Sequence, residues 1–314
     1  MMPQLISLVI PVYNEGPHIE ASMRTVQKIL LEHDIRYQIV LVDDGSRDDT
    51  WLALTRLAEQ LPGIKSIKLS RNFGKEAALC AGLENADGDA CIVMDCDLQH
   101  PPELIPQMIQ LWREGWDVVE GVKSDRGQES GVYKFGAKVF YRTFQKLSGF
   151  NLRGASDFKL MDRKAVDAWR TMKERDTFFR GMSAWVGFKR YAMPFVVAQR
   201  TEGASKWSPV KLGRLFISAI SAFSSLPLQL VTLLGGLFFL GSLVLALQTL
   251  YMKLSGHAFD GFTTVILLQL IIGSSLMLSL GIIGTYLARI YDEVKGRPRY
   301  LISTQVESLH TEST

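Results

Sequence analysis

Two stretches of this chain, Leu226 to Leu250 and Phe262 to Leu287, contain no charged residue. Each exceeds the about 20 residues needed to cross a hydrocarbon core, and each is rich in Leu with Gly and Ser among its residues. A buried helical hairpin in a soluble domain is the competing arrangement, but the lengths and the absence of charge favour two membrane spans. The expected layout is a large N-terminal domain over residues 1–206, an interfacial amphipathic helix over 207–225 and a first span over 226–252. A short extracytoplasmic loop over 253–261, a second span over 262–288 and a cytosolic tail over 289–314 follow. The connection from Tyr251 to Gly261 has only Lys253 as a strong positive charge, whereas Lys206, Lys211 and Arg214 precede the first span and Arg289, Lys295, Arg297 and Arg299 follow the second. The positive-inside bias puts both flanks, and the large domain, in the cytosol. The start, Met1-Met2-Pro3-Gln4, leads into a strand-like run without the pattern of a cleaved signal peptide.

The N-terminal part alternates between apolar runs and helical spacing. Leu5 to Val12, Tyr37 to Val42, Ile64 to Leu69 and Ala90 to Met94 read as strands; Ser22 to Leu31, Thr50 to Gln60 and Lys75 to Ala86 read as helices. This order predicts an α/β domain with a mostly parallel sheet covered by helices on both faces. Val132 to Leu147 has a basic amphipathic pattern that suits either a membrane surface or a core-facing helix with a solvated side. Trp207 to Ser225, with Pro209 near its start, reads as a bridge to the first span. Residues after Tyr300 are polar and are expected to be disordered.

Composition removes several classes of function. The three cysteines, Cys80, Cys91 and Cys96, form no C-x-x-C pair and have no His at zinc spacing, so they read as reduced thiols. A net charge of +3 is too small and dispersed to argue for nucleic acid. Neither the G-x-G-x-x-G fingerprint nor a G-x-x-x-x-G-K-[ST] loop is present, which counts against dehydrogenases and ATPases.

What remains is an acid pair. Asp95-Cys96-Asp97-Leu98-Gln99-His100-Pro101-Pro102-Glu103 follows the apolar run Ala90 to Met94. The two carboxylates therefore emerge at the C-terminal end of a buried strand, where ligands gather in open α/β sheets. Oxygen donors with open positions suit a hard divalent cation carrying a diphosphate. An isolated Asp-x-Asp is often only a polar strand exit, so its company matters.

That company is Ile10-Pro11-Val12-Tyr13-Asn14-Glu15, Asp43-Asp44-Gly45-Ser46 and Arg200-Thr201-Glu202-Gly203-Ala204-Ser205-Lys206. In this order, and with the closing Ile290 to Pro298, the blocks resemble glycosyltransferase family 2 enzymes that load a sugar onto a polyprenyl phosphate. Dolichyl-phosphate mannose synthase and the bactoprenol glucosyltransferases are of that kind. The resemblance implies a GT-A, Rossmann-like domain. It assigns Pro11, Tyr13, Glu15, Val42, Asp44, Asp95, Cys96 and Asp97 to the nucleotide sugar, and Asp95, Asp97 and Gln99 to Mg²⁺ or Mn²⁺. Cys96 stands where relatives often have Ala. Arg200, Ser205 and Lys206 would hold phosphate, Arg by its fork and Lys as a point charge. Asp157, in Ser156-Asp157-Phe158-Lys159, matches an acid near the acceptor that serves as base or orienter; Lys159 or Arg163 would offset its charge. Asp97, Asp157 and Arg200 are thus the expected catalytic residues. Arg71 and Lys75 either touch the donor or begin a solvated helix, and Lys123 or Arg126 stands in for an Arg common in mannosyl members.

The implied reaction is inverting transfer of a sugar, first of all glucose from UDP-glucose, to undecaprenyl phosphate at the cytosolic face of the inner membrane. The lipid-linked sugar would serve the decoration of cell-envelope glycans such as O-antigen. UDP-N-acetylglucosamine, UDP-galactose and GDP-mannose are the alternative donors. A homo-oligomer, a flippase and a downstream glycosyltransferase are compatible partners. A processive polysaccharide synthase is disfavoured because no Gln-x-x-Arg-Trp block occurs. A membrane-tethered sugar-nucleotide scaffold without turnover is the reading from another class.

Overall fold

The computed structural model describes residues 4–123, 155–175, 177–195, 226–255 and 261–308. The expected helices at 132–147 and 207–225 lie outside these residues. The described chain divides into two units, the larger built on the N-terminal residues together with Pro298 onward, the smaller containing Ser208–Arg297.

The first unit begins with the predicted alternation: β1 (Ile6–Val12), α1 (Gly16–Glu32), β2 (Tyr37–Asp43), α2 (Thr50–Gln60), β3 (Ile64–Leu69), α3 (Lys75–Glu84) and β4 (Ala90–Val93). It continues through α4 (Ile105–Arg113), β5 (Val118–Lys123), β6 (Ala155–Asp162), α5 (Arg163–Thr171), α6 (Phe179–Trp185) and β7 (Arg190–Phe195), and ends in β8 (Ile302–Glu307). The eight strands form one sheet in the order β7-β5-β6-β4-β1-β2-β3-β8. The pairs β1–β2, β1–β4, β2–β3 and β5–β7 are parallel; β4–β6, β5–β6 and β3–β8 are antiparallel. The sheet is mostly parallel, as expected for a Rossmann-like domain.

Both faces of the central strands are covered, which is why every residue of β1 is buried. On one face α1 lays Ile19, Met23, Val26 and Leu30 against Ile6, Leu8, Ile10 and Ile39, joined by Leu54 and Leu57 of α2 and Met108 and Ile109 of α4. On the other face α3 is buried from Ala77 through Leu83. Its small residues permit close approach: a Cβ built on Gly82 would lie 2.2 Å from Val9 Cγ1 and 3.3 Å from Val42 Cγ2. Ala is the better helix former by about 1 kcal/mol. The forced separation of α3 from β1 outweighs this, and Gly82→Ala is expected to lower unfolding stability by about 1–3 kcal/mol. An unchanged or raised denaturation midpoint would refute the close-packing account.

β8 corrects one expectation. Residues 302–307 form an edge strand instead of continuing a disordered tail. The strand is mostly exposed, and only Val306 packs against the core. It is held by ladder bonds to β3, by the Ser70 amide donating to Leu301 O at 2.8 Å, and by the Ser308 amide donating to Ile64 O at 2.9 Å. Backbone pairing takes the place of side-chain burial, so the polar composition is no obstacle.

The second unit contains α7 (Leu226–Leu254) and α8 (Phe262–Val294), which contact each other. Their segments Pro227–Met252 and Leu268–Val294 have mean hydropathy 2.4 and 1.8 and are long and apolar enough to cross a membrane. Side chains such as Leu237, Phe239, Leu270 and Met277 are more than half exposed, a surface that water solvates poorly. α8 runs past residue 288, where the second span was expected to end, and carries Arg289, Asp292 and Glu293 in its last turns.

Candidate active site

The C-terminal ends of β1, β2 and β4 converge on one cleft, and side chains of one loop tie down the amides of the next. After β1, Asn14 adopts a left-handed conformation, φ 54°. Its amide donates to Ser46 Oγ at 2.9 Å, while its own Oδ1 accepts from the Arg47 amide at 2.9 Å. The Glu15 amide donates to Thr50 Oγ1 and the Gly16 amide to Asp48 Oδ2. After β2, Asp43 Oδ1 accepts from the Ser46 amide three residues on, closing the turn through Gly45. Gly45 has φ +68°, and a Cβ there would fall 2.4 Å from the carbonyl carbon of Arg71, so glycine is required on both counts.

Asp44 has both carboxylate oxygens engaged: Oδ1 accepts from the Phe73 amide at 2.7 Å and Oδ2 from the Gly74 amide at 2.9 Å. Burial pushes its carboxyl up, and these two amides pull against that rise. Its first structural task is therefore to fix the loop that precedes α3, leaving one lone pair on each oxygen for a ligand.

The β4 exit is equally specified. The Asp95 amide donates to Nδ1 of His100, whose ring is buried and stacked on Phe158 with centroids 5.2 Å apart. Asp97 Oδ1 accepts from the Gln99 amide at 3.1 Å across Leu98, which sits at φ 54°. Asp97 is exposed, and its charge, after burial, is the main reason that the Glu15 carboxyl is raised above its ordinary value.

From α3, Lys75 reaches across the cleft. Its Nζ lies 2.5 Å from Asp95 Oδ1 and 2.8 Å from Asp157 Oδ2. Burial would push this ammonium down, but Asp95 and Asp157 outweigh it and hold Lys75 above the usual lysine range. Asp157, on β6, also accepts a fork from Arg180 of α6, with Nε 2.7 Å from Oδ1 and Nη2 3.0 Å from Oδ2. Burial alone would raise Asp157; Arg180 first and Lys75 second override it and keep the carboxyl far below the usual range. Beneath them Glu76 accepts from the Phe179 amide at 2.7 Å. Burial pushes Glu76 up to about 7; the Phe179 amide opposes the shift and Asp157 adds to it.

A cavity of about 320 Å³ opens at this place. Of the eight residues assigned to the nucleotide sugar, Pro11, Tyr13, Glu15, Asp44, Asp95, Cys96 and Asp97 line it, together with Val12, Asn72, Gly74, Lys75 and Ala78. Val42 is outside that lining: it is fully buried, with Cγ2 toward Gly82 of α3. Gln99 is not in the lining either, and its amide supports Asp97. Arg200, Ser205, Lys206 and Arg126, and the side chain of Lys123, lie outside the described residues.

Two expectations about Asp157 change. Its charge is offset by Lys75 and Arg180. Lys159 instead pairs with Glu120, and Arg163 donates to the carbonyls of Ala86 and Gly88. Arg71 stacks on Phe73 at 4.6 Å, whereas Lys75 faces the cleft. Arg180 and Glu76 were not anticipated as site residues, because no local pattern marks a partner 23 or more positions away.

An acid pair at the strand ends of a Rossmann-like, mostly parallel sheet is the arrangement expected of a glycosyltransferase of the GT-A class. Residues 7–169 match the family model described as glycosyl transferase family 2, and this chain belongs to that family. An uncharacterized glycosyltransferase from Synechocystis sp. is 39% identical over 300 residues, covering 95% of this chain and 94% of that protein. The SfII prophage-derived bactoprenol glucosyl transferase of Shigella flexneri is 36% identical over 302 residues, covering 95% and 97%. Among solved structures, the mannosyltransferase PcManGT from Pyrobaculum calidifontis, in complex with GDP-Man and Mn²⁺, aligns with TM-score 0.48 at 16% identity, covering 89% and 88%.

Proposed function

We propose that the protein transfers glucose from UDP-glucose to a polyprenyl phosphate with inversion at the anomeric carbon, working at the cytosolic face of the inner membrane. The observation that carries this reading is the presence in one chain of an acid-rimmed cleft and two membrane-length helices, matched along 95% of its length by a bactoprenol glucosyl transferase. The domain layout follows: a cytosolic transferase domain, the 207–225 bridge, and two spans of which both flanks are cytosolic.

In this reading the base and ribose lie between Pro11, Tyr13, Glu15 and Asp44, and the diphosphate points toward Asp95 and Asp97. The donor set fits a divalent cation that arrives with the diphosphate. Asp95 and Asp97 offer hard oxygens, and among the described residues no three His, Cys, Asp or Glu side chains converge as a closed cage. Magnesium and manganese accept one or two carboxylates, with phosphate oxygens and water completing the shell. Such an ion, when bound, offsets negative charge on the leaving diphosphate.

The acceptor phosphate oxygen bonds to the anomeric carbon as the bond to the diphosphate oxygen breaks, and the diphosphate leaves with the electron pair. A phosphate monoester is already mostly ionised near neutral pH, so the protein has no proton to remove. Asp157 is suited to orienting: its charge holds Lys75, which lines the cleft, and Arg180, and in this reading the two cations would meet the incoming phosphate. Arg200, Ser205 and Lys206 would add further positive charge and backbone donors.

The test is to supply membranes containing the protein with polyprenyl phosphate, Mg²⁺ or Mn²⁺, and separately labelled UDP-glucose, UDP-N-acetylglucosamine, UDP-galactose and GDP-mannose. An acid-labile lipid-linked glucose, lost with chelator, is expected. Labelling from another donor would replace the sugar and keep the reaction. No labelled lipid from any of the four, with nucleotide still bound, would favour the scaffold.

A further inference from the structure

Among the described residues, Lys159 is a buried charged group near the cleft whose burial the transfer chemistry leaves unexplained. It lies two residues after Asp157 on β6, hence on the same face of that strand, and it is fully buried. A buried ammonium is costly unless it is paired and hydrogen-bonded. Nζ donates to Glu120 Oε1 at 3.1 Å and to Ser183 Oγ at 2.8 Å, and lies 5.1 Å from the centroid of the Phe179 ring. Glu120 is paired with Arg190 through its other oxygen. Phe179 and Ser183 are both on α6, the short helix that carries Arg180. Ser183 Oγ in turn donates to the carbonyl of Arg180 at 3.2 Å. The Phe179 amide at the start of the helix is fixed by Glu76. The Arg180 backbone is thus held from beneath by Lys159 through two side chains, while the Arg180 guanidinium forks onto Asp157.

We propose that Lys159 is a positioning residue for sugar transfer: with Glu120 as its counter-ion, it fixes α6 so that Arg180 meets Asp157 in the fork geometry. The inference rests on the transferase reading above. A purely structural ion pair would stabilise the sheet without any special link to Arg180, and this difference can be measured.

The experiment is a double-mutant cycle in the full-length protein in membranes, with Lys159→Met and Arg180→Ala made singly and together. Met keeps most of the volume, and Glu120 remains paired with Arg190, so no buried charge is left alone. Lys159→Met is expected to lower kcat by about tenfold or more, the scale of a small misplacement of a reacting group. KM for the nucleotide sugar should stay nearly unchanged. In the Arg180→Ala background the same change should cost no more than about twofold, because its route of action is already gone. Effects that multiply across the cycle would overturn the proposal.

Should Lys159→Met fail to accumulate, Ser183→Ala removes only the hydroxyl link, and the same coupling to Arg180 is expected. An activity-independent readout separates this inference from the transferase reading. In Lys159→Met, or in Ser183→Ala if that variant is needed, amide hydrogen exchange over residues 179–185 should rise while β1 to β4 remain protected. Unchanged protection of 179–185 would sink the positioning role even if transfer is confirmed. If the wild type transfers no sugar, exchange alone still decides whether Lys159 fixes α6.

Discussion

Asp97→Asn is expected to lower sugar transfer by about a thousandfold while leaving the protein folded. The substitution is selective because the two oxygens of Asp97 have different work. Oδ1 accepts from the Gln99 amide and so supports the turn through Leu98; an Asn in the same rotamer keeps an acceptor oxygen there. What is lost is the negative charge at an exposed position on the cavity wall, where a cation arriving with the diphosphate would bind. The measurement is initial transfer rate against metal concentration, beside a thermal unfolding curve. A raised metal requirement or loss of transfer with an unchanged midpoint supports the assignment. Normal turnover at ordinary metal concentration would remove Asp97 from the site.

The second large effect concerns Asp157. Asp157→Asn is expected to reduce turnover by about a hundredfold and stability by about 1–3 kcal/mol. The stability figure is modest for a buried pair because Lys75 and Arg180 are 42% and 36% exposed and can rehydrate. The pH dependence separates an orienting carboxylate from a base. Its folded-state pKa lies below the unfolded value, so the stability it contributes is fully present above about pH 4 and is lost as pH falls through the depressed value. Lys75 is shifted upward, and its contribution is present throughout the neutral range and lost only above the usual lysine range. Neither group titrates between about pH 6 and 9. The wild-type rate should therefore show no inflection from Asp157 in that window, with a decline at lower pH from protonation of the acceptor phosphate. Glu76, pushed up to about 7 by burial and in part by Asp157, can itself titrate there, so an inflection near neutrality that disappears in Asp157→Asn but persists in Glu76→Gln would instead make Asp157 the base.

The cleft was readable where one strand determined it. Ala90 to Val93 is an uninterrupted apolar run because both faces are covered, and the acids follow at its end whatever the rest of the chain does. The same holds for Tyr37 to Asp43 and the turn through Gly45. Helix α1 was expected from Ser22 but begins at Gly16. Gly16, Pro17 and His18 are not buried and carry no apolar periodicity, yet Pro17 sits where a first helical turn tolerates proline, a cue present in the sequence. Arg180 was not readable: its importance comes from a crossing of α6 over β6, and nothing in Phe179-Arg180-Gly181 announces a carboxylate 23 residues earlier. β8 falls between these cases. Ile302, Thr304 and Val306 alternate in the β-branched pattern of a strand, but an edge strand that buries almost nothing resembles a polar tail when judged by hydropathy.

That edge strand carries a consequence of parity. β3 and β8 are rungs of one ladder, so residues 64–69 and 302–307 must occupy the same aqueous compartment. Between them lie two helices long enough to cross a membrane. A chain that leaves a compartment and must come back crosses an even number of times, so α7 and α8, the two candidate spans among the described residues, either both traverse the bilayer or, with no third crossing, neither does. A single crossing is incompatible with the sheet. The charge bias around the helices and the hydrogen bonds of a strand beyond them thus constrain topology independently, one through the membrane and the other through the fold. Completion of the sheet also waits for synthesis of residues 302–307, so the edge of β3 stays open until both helices have been made.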